Sequence, residues 1–264
     1  MFYWIYDIPN EFLAGLICLT CVLYTWSGIL ILRPCIFKWL GPEPGKNEFV
    51  TGFLSAYGVF YGLMLGLIAV ATYQNYCDVG DRIEKEVANI TALYRDVSSY
   101  PEPERSNFQN KLREYMNHII DDGWTANKNG NISPKGMLHT SSLQKDLFAY
   151  QPQTKSNEIL HVETIQQFNR FILARSSRLQ SVTTGLPDIL WYVVVIGAML
   201  NLSFIWMFSI DRVSIHLILS GILSLFIGLM LFFLAAMDNP YRGVDGITPD
   251  AYQGVLKRLM TPIP

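Results

Sequence analysis

Three groups of side chains carry types and spacings that could do chemistry. Glu114, His118 and Asp121 or Asp122 fall on one face at helical spacing. An imidazole beside carboxylates can hold a divalent cation, so Glu114, His118 and Asp122 are the metal candidates. A solvated polar face accounts for the same pattern, because one histidine makes a thin ligand set. Asp78 and Asp81, with Glu84 a turn further on, could form an acidic ring where cations enter a pore. Salt bridges to Arg82 and Lys85 are the alternative. Cys18-x-x-Cys21 has the spacing of a redox or metal motif. It lies in an apolar run without histidine or further cysteine partners, so both read as small apolar fillers.

Other chemistries lack their signatures. The sequence has no Gly-x-Ser-x-Gly, no phosphate-binding glycine-rich loop and no His-Glu-x-x-His. No enzyme activity and no cofactor are expected. The net charge is -2 and no basic stripe is interleaved with aromatics, which argues against nucleic acid.

The elements that must position these residues are membrane helices. Only 16% of the residues are charged, against about a quarter in soluble proteins. The deficit is concentrated in residues 12–32, 49–73, 189–210 and 213–237. Each run is long enough to cross a hydrocarbon layer of about 30 Å. The expected fold is all-α, with four transmembrane helices and a soluble helical region between the second and third. Its parts are an N-terminal hairpin (1–75), the soluble region (76–186), a C-terminal hairpin (187–237) and a polar tail (238–264).

Within that frame the first helix is expected to end at Arg33-Pro34, after an aromatic interfacial lead containing Phe2, Tyr3, Trp4 and Tyr6. Gly41-Pro-Glu-Pro-Gly45 reads as a turn-rich connector. The second helix should run on into water. Ile83, Val87, Ile90, Leu93 and Tyr94 extend its apolar stripe, and Pro101-Glu-Pro103 breaks it. A second amphipathic helix follows, with Phe108, Leu112, Tyr115, Met116 and Ile119 on one face. Further helices are expected near 138–150 and 157–184. The third and fourth membrane helices are joined only by Asp211-Arg212. The small-residue row Ser220, Ser224 and Gly228 is expected to pack against the third helix.

Gly58-x-x-x-Gly62-x-x-x-Gly66 gives the second helix one smooth face along which another backbone can approach. Phe53, Tyr57, Phe60, Met64, Leu67 and Ala71 lie opposite. A helix with a tight-packing face and a distinct second face suits a ring of subunits around an axis, with the second face lining a hydrophobic neck. Packing of the glycines inside one subunit, with the aromatics facing lipid, fits the same spacing. Arginine and lysine are more numerous on the side holding Arg82, Lys85, Arg170, Arg175, Arg178 and Arg242. That places both termini and the soluble region in the cytoplasm.

Two stretches resemble a known family. One is Gly62-Leu-Met-Leu-Gly66 through Tyr76, followed by Ala92-Leu-Tyr-Arg-Asp96. The other is Asp238-Asn-Pro-Tyr-Arg-Gly243. With Gly185-Leu-Pro-Asp-Ile-Leu-Trp191 they make the chain similar, over nearly its whole length, to the bacterial bestrophin-like membrane proteins. The resemblance implies a homo-oligomer in the inner membrane, pentameric by analogy. It also implies contact with lipid, passage of inorganic ions and a second helix lining a narrow neck. The expected function is an oligomeric ion channel. The alternative is a non-conducting scaffold or sensor whose soluble region binds a partner.

Overall fold

The computed structural model describes residues 6, 8–40, 45–243 and 246–260, and no strand occurs among them. Among the described residues ten α-helices follow one another: α1 (Asn10–Ser27), α2 (Arg33–Leu40), α3 (Lys46–Val97), α4 (Glu104–His118), α5 (Trp124–Lys128), α6 (Lys135–Ala149), α7 (Lys155–Gln180), α8 (Asp188–Phe204), α9 (Val213–Asp238) and α10 (Asp250–Val255). Among the described residues, four helical stretches are long and apolar enough to cross a membrane: Asn10–Trp39, Lys46–Val97, Lys155–Met207 and Val213–Asp238. Phe2, Tyr3 and Trp4, and Gly41–Pro44 of the connector, lie outside the described residues.

The first helix does not stop at Arg33-Pro34. A π-helical turn over Gly28–Leu32 carries it into α2. Pro34 follows just after this π-helical turn, where the regular i→i−4 ladder is already interrupted. The second helix is one unbroken element of 52 residues, about 78 Å long at 1.5 Å per residue.

The chain forms two compact units. One, the membrane unit, takes residues up to 76 with 185–239 and Gly243. The other, the soluble unit, takes 77–184, 240–242 and 246–260. In lipid, apolar burial does not drive helices together, so close packing and polar contacts must. Gly228 of α9 lies against the Cys18 backbone of α1, where an added Cβ would sit 2.8 Å from the Cys18 Cα. Ser224 Oγ donates to Thr25 Oγ1 at 2.8 Å, and Trp26 Nε1 donates to the Leu217 carbonyl at 3.0 Å. The small-residue row of α9 therefore packs against the first membrane helix, not the third. Helical spacing shows that a face is smooth, but not which neighbour uses it.

The link between α8 and α9 is also longer than the sequence suggested. A 3-10 turn over Ile205–Met207 ends the helix early. The following chain is pinned by Asn47, whose amide donates to the Ser209 carbonyl at 2.9 Å and accepts from the Ser209 N–H at 2.8 Å. Arg33 Nη2 adds a 2.7 Å bond to the Ile210 carbonyl.

The soluble unit has an ordinary water-excluding core. The apolar stripe of α3 (Val79, Ile83, Ile90, Leu93, Val97) meets Phe108, Leu112 and Met116 of α4, Leu147 of α6, and Phe168 and Phe171 of α7. Each such side chain, fully buried, contributes about 1.5–3 kcal/mol. The tail is not merely polar surface. Tyr241, Tyr252 and Met260 are completely buried in this same core, and Arg113 Nε donates to the Met260 carbonyl at 2.5 Å.

Candidate functional site

The membrane half of α3 presents three arcs, and its own sequence sets them. One arc (Val50, Tyr61, Leu65, Ile68, Thr72) is buried against the rest of the membrane unit. Gly197 of α8 makes that contact possible, because an added Cβ there would lie 2.5 Å from the Tyr61 ring. Tyr61 donates its hydroxyl to the Val194 carbonyl and Tyr57 to the Gly197 carbonyl, both at 3.0 Å. Two hydroxyls thus fix the rotation of α3 against α8.

The second arc is the glycine row. Apart from chain neighbours and the adjoining backbone of α3 itself, no described atom lies within 4 Å of where a Cβ would stand at Gly58, Gly62 or Gly66. The third arc carries Phe53, Phe60 and Leu67, which are 68%, 74% and 73% exposed, with Ala71 exposed beside them. Tyr57 and Met64 are half-buried at the margin of this arc, where α3 meets α8. Spacing alone set glycines against aromatics. It could not reveal the buried arc between them, which claims Tyr57 for a hydrogen bond.

Further along α3, Asp78, Asp81 and Glu84 are all exposed. Arg82 turns away to the Ser177 carbonyl at 3.0 Å. Among the described residues, none of the three carboxylates enters a salt bridge.

The metal candidate is corrected. Glu114, His118 and Asp122 do not converge. Glu114 faces His139, with Oε2 3.9 Å from Nδ1, while Asp122 pairs with Lys135 at 2.8 Å and stands 3.9 Å from His118. Among the described residues, no group of three or more His, Cys, Asp or Glu is placed to hold a metal ion. The Lys135 ammonium holds the Asp122 carboxyl below its usual range. Burial, with His139 nearby, lowers the His118 pKa, which favours the neutral ring.

Two arrangements were not singled out from the sequence. The first is a buried ion pair in the soluble unit. Arg178 Nε donates to Glu86 Oε2 at 2.5 Å, and Tyr115 donates to Glu86 Oε1 at 2.6 Å. The Glu86 side chain is fully enclosed and that of Arg178 nearly so. Burial pushes the Tyr115 hydroxyl far above its ordinary pKa, with the Glu86 charge adding to it. A signal existed: Ile83, Glu86, Val87 and Ile90 share one helical stripe, so Glu86 sits among core positions.

The second is Asp238. Its carboxylate accepts from the Leu186 backbone N–H, from Trp191 Nε1 and the Tyr6 hydroxyl at 3.1 Å each, and from Asn239 Nδ2 at 3.2 Å. Its oxygens are engaged by donors, as in an anchor and not as in a cation ligand. This anchor joins Gly185–Trp191 to the segment beginning at Asp238, two of the stretches that carry the family resemblance.

Comparison with known proteins agrees. The bestrophin-like domain matches residues 22–252. The chain belongs to the bestrophin-like family. Membership makes it a membrane protein of a family of channels, not of enzymes. Similar solved structures include a variant of a bacterial bestrophin homologue from Klebsiella pneumoniae, at 12% identity and TM-score 0.67, covering 94% of this chain and 97% of that one. Another structure of that homologue, obtained by Zn-SAD phasing, has 12% identity and TM-score 0.65, covering 93% and 96%. A third, described as a membrane protein, has 11% identity and TM-score 0.65, covering 94% and 97%. At such identity these establish a shared fold. No curated protein matches the sequence.

Proposed function

We propose that this bestrophin-like protein is a homo-oligomeric ion channel of the bacterial inner membrane, with α3 lining its pore. One observation carries the reading: the packing of the subunit buries a single arc of α3 and leaves both the glycine row and the Phe53–Phe60–Leu67 arc exposed. The glycine row would receive a neighbouring subunit, because glycine lets backbones approach closely. Phe53, Phe60, Leu67 and Ala71 would face the axis and form a hydrophobic neck that gates by dewetting. Tyr57 and Met64 would flank it. Asp78, Asp81 and Glu84 would ring the route beyond the neck, within a vestibule built from residues 76–186. Both termini and the soluble region would face the cytoplasm, which a reporter fused after Pro264 tests. A pentamer is the assembly by analogy with the bestrophins.

The experiment is ion flux into liposomes under separate potassium, sodium and chloride gradients, read beside the oligomeric state. Gly62→Leu should leave the subunit folded, since no described atom beyond the adjoining backbone of α3 lies within 4 Å of a Cβ there, and should lose the oligomer. Phe60→Ala should keep the oligomer and change conductance by several-fold. An intact oligomer in the first variant, or unaltered flux in the second, counts against the proposal. Wild-type protein that conducts in none of the three gradients favours the scaffold reading.

A further inference from the structure

The soluble unit has a small, partly open cavity, with several polar side chains on its wall, that the channel reading does not use. Its volume is about 20 Å³, room for one water-sized particle. His118, Asn127, Ser133, Gly136, Arg175 and Arg178 are among the residues lining it. The charges around it do not balance. Arg178 is matched by Glu86, and Asp122, the carboxylate nearest His118, is matched by Lys135. With Asn127 turned so that its amide oxygen accepts from Arg178 Nη1 at 2.8 Å and its nitrogen donates to the Asn131 carbonyl at 3.2 Å, that amide is satisfied too.

Arg175 is different. Among the described residues its Nε is buried without a hydrogen-bond partner, and the guanidinium carbon lies 5.9 Å from the centre of the Tyr115 ring. A guanidinium is always charged, and a buried donor left without a partner is unfavourable, more so when charged. The cavity wall also includes Gly136, in the first turn of α6, where the helix dipole favours negative charge. A side chain at Gly136 would crowd the site, since its Cβ would lie 3.2 Å from Arg175 Nη2 and 3.6 Å from the His118 ring. Arg175 as a whole is half-buried; a water at Nε would satisfy the donor, whereas a monovalent anion would satisfy it and offset the charge as well.

We propose that this cavity binds one small anion of chloride size, held by Arg175 inside a single subunit. The site is independent of the conduction path and of whether the channel conducts anions at all. The first test is crystallographic, on the full-length protein soaked in bromide. An anomalous peak within hydrogen-bond distance of Arg175 Nε is expected, and an empty cavity or one holding only water overturns the proposal. The second test is thermal unfolding at constant ionic strength, with sodium bromide against sodium gluconate, whose anion is too large to enter. Bromide in large excess over its dissociation constant should raise the melting temperature by about 2–4 °C, and Arg175→Gln should abolish that difference. Equal melting of the wild-type protein in the two salts, or a bromide effect that survives in Arg175→Gln, sinks the idea.

Discussion

Replacing Arg178 with Met should cost the soluble unit about 3–5 kcal/mol, the usual penalty for breaking a buried ion pair by removing one partner. The reason is what remains. Glu86 is fully enclosed, and without Arg178 it keeps only the Tyr115 hydroxyl among its described hydrogen bonds. A buried carboxylate left without its cation is strongly unfavourable. Denaturant unfolding of Arg178→Met against the wild-type protein should show this loss. The double variant Glu86→Leu with Arg178→Met should recover much of the loss, because an apolar pair leaves no buried charge. A single variant costing under about 1 kcal/mol would mean that the pair is not enclosed as described.

Gly228→Leu should separate the first membrane helix from the fourth. The obstruction is backbone: a Cβ alone would stand 2.8 Å from the Cys18 Cα, and a leucine adds three more carbons. Rotamer changes cannot relieve this, so α1 must move. The Ser224–Thr25 and Trp26–Leu217 bonds would stretch with it. Overpacking of this kind costs about 1–3 kcal/mol or more. The readout is chemical. Cys18 and Cys21 are buried and free, so they should resist a maleimide in the wild-type protein and react in the variant. Cys35 and Cys77 are exposed and would be replaced by serine beforehand. Gly62→Leu is the control, because a Cβ there meets no described atom beyond the adjoining backbone of α3 and should leave both thiols protected. Unchanged labelling in Gly228→Leu would refute the α1–α9 contact.

The contrast between those two glycines shows what could be read from the residues. Charge-poor runs revealed four spanning helices because length and composition determine a span directly. The continuation of α3 into water was legible because one apolar stripe passes from one solvent into the other. Small-residue rows were legible as faces, yet Gly228 serves the inside of the subunit and Gly62 faces outward. Their spacing is the same, and only the placement of other helices distinguishes them. The Glu86–Arg178 pair joins residues 92 positions apart. Arg178 looked like one more charge in an orientation count, because no local pattern names a partner at that distance. Glu114, His118 and Asp122 shared a predicted face. Each carboxylate found a nearer partner on another element, and that competition is tertiary.

The burial of Tyr241, Tyr252 and Met260 in the soluble core has a consequence for how the protein is made. Synthesis is vectorial, and these residues leave the ribosome after α8 and α9 have been built. Met260 follows Thr184 by roughly 75 residues, an interval of roughly 4–15 s at 5–20 residues per second. Throughout it, the surface that Tyr252 will seal stands open to water with Trp124 at its edge. The soluble unit is therefore a late folder whose completion waits on membrane insertion of a segment that follows it. Nascent chains stalled before Pro240 should be captured by holdase chaperones and cut by proteases within 77–184, even with every residue of that segment already synthesised.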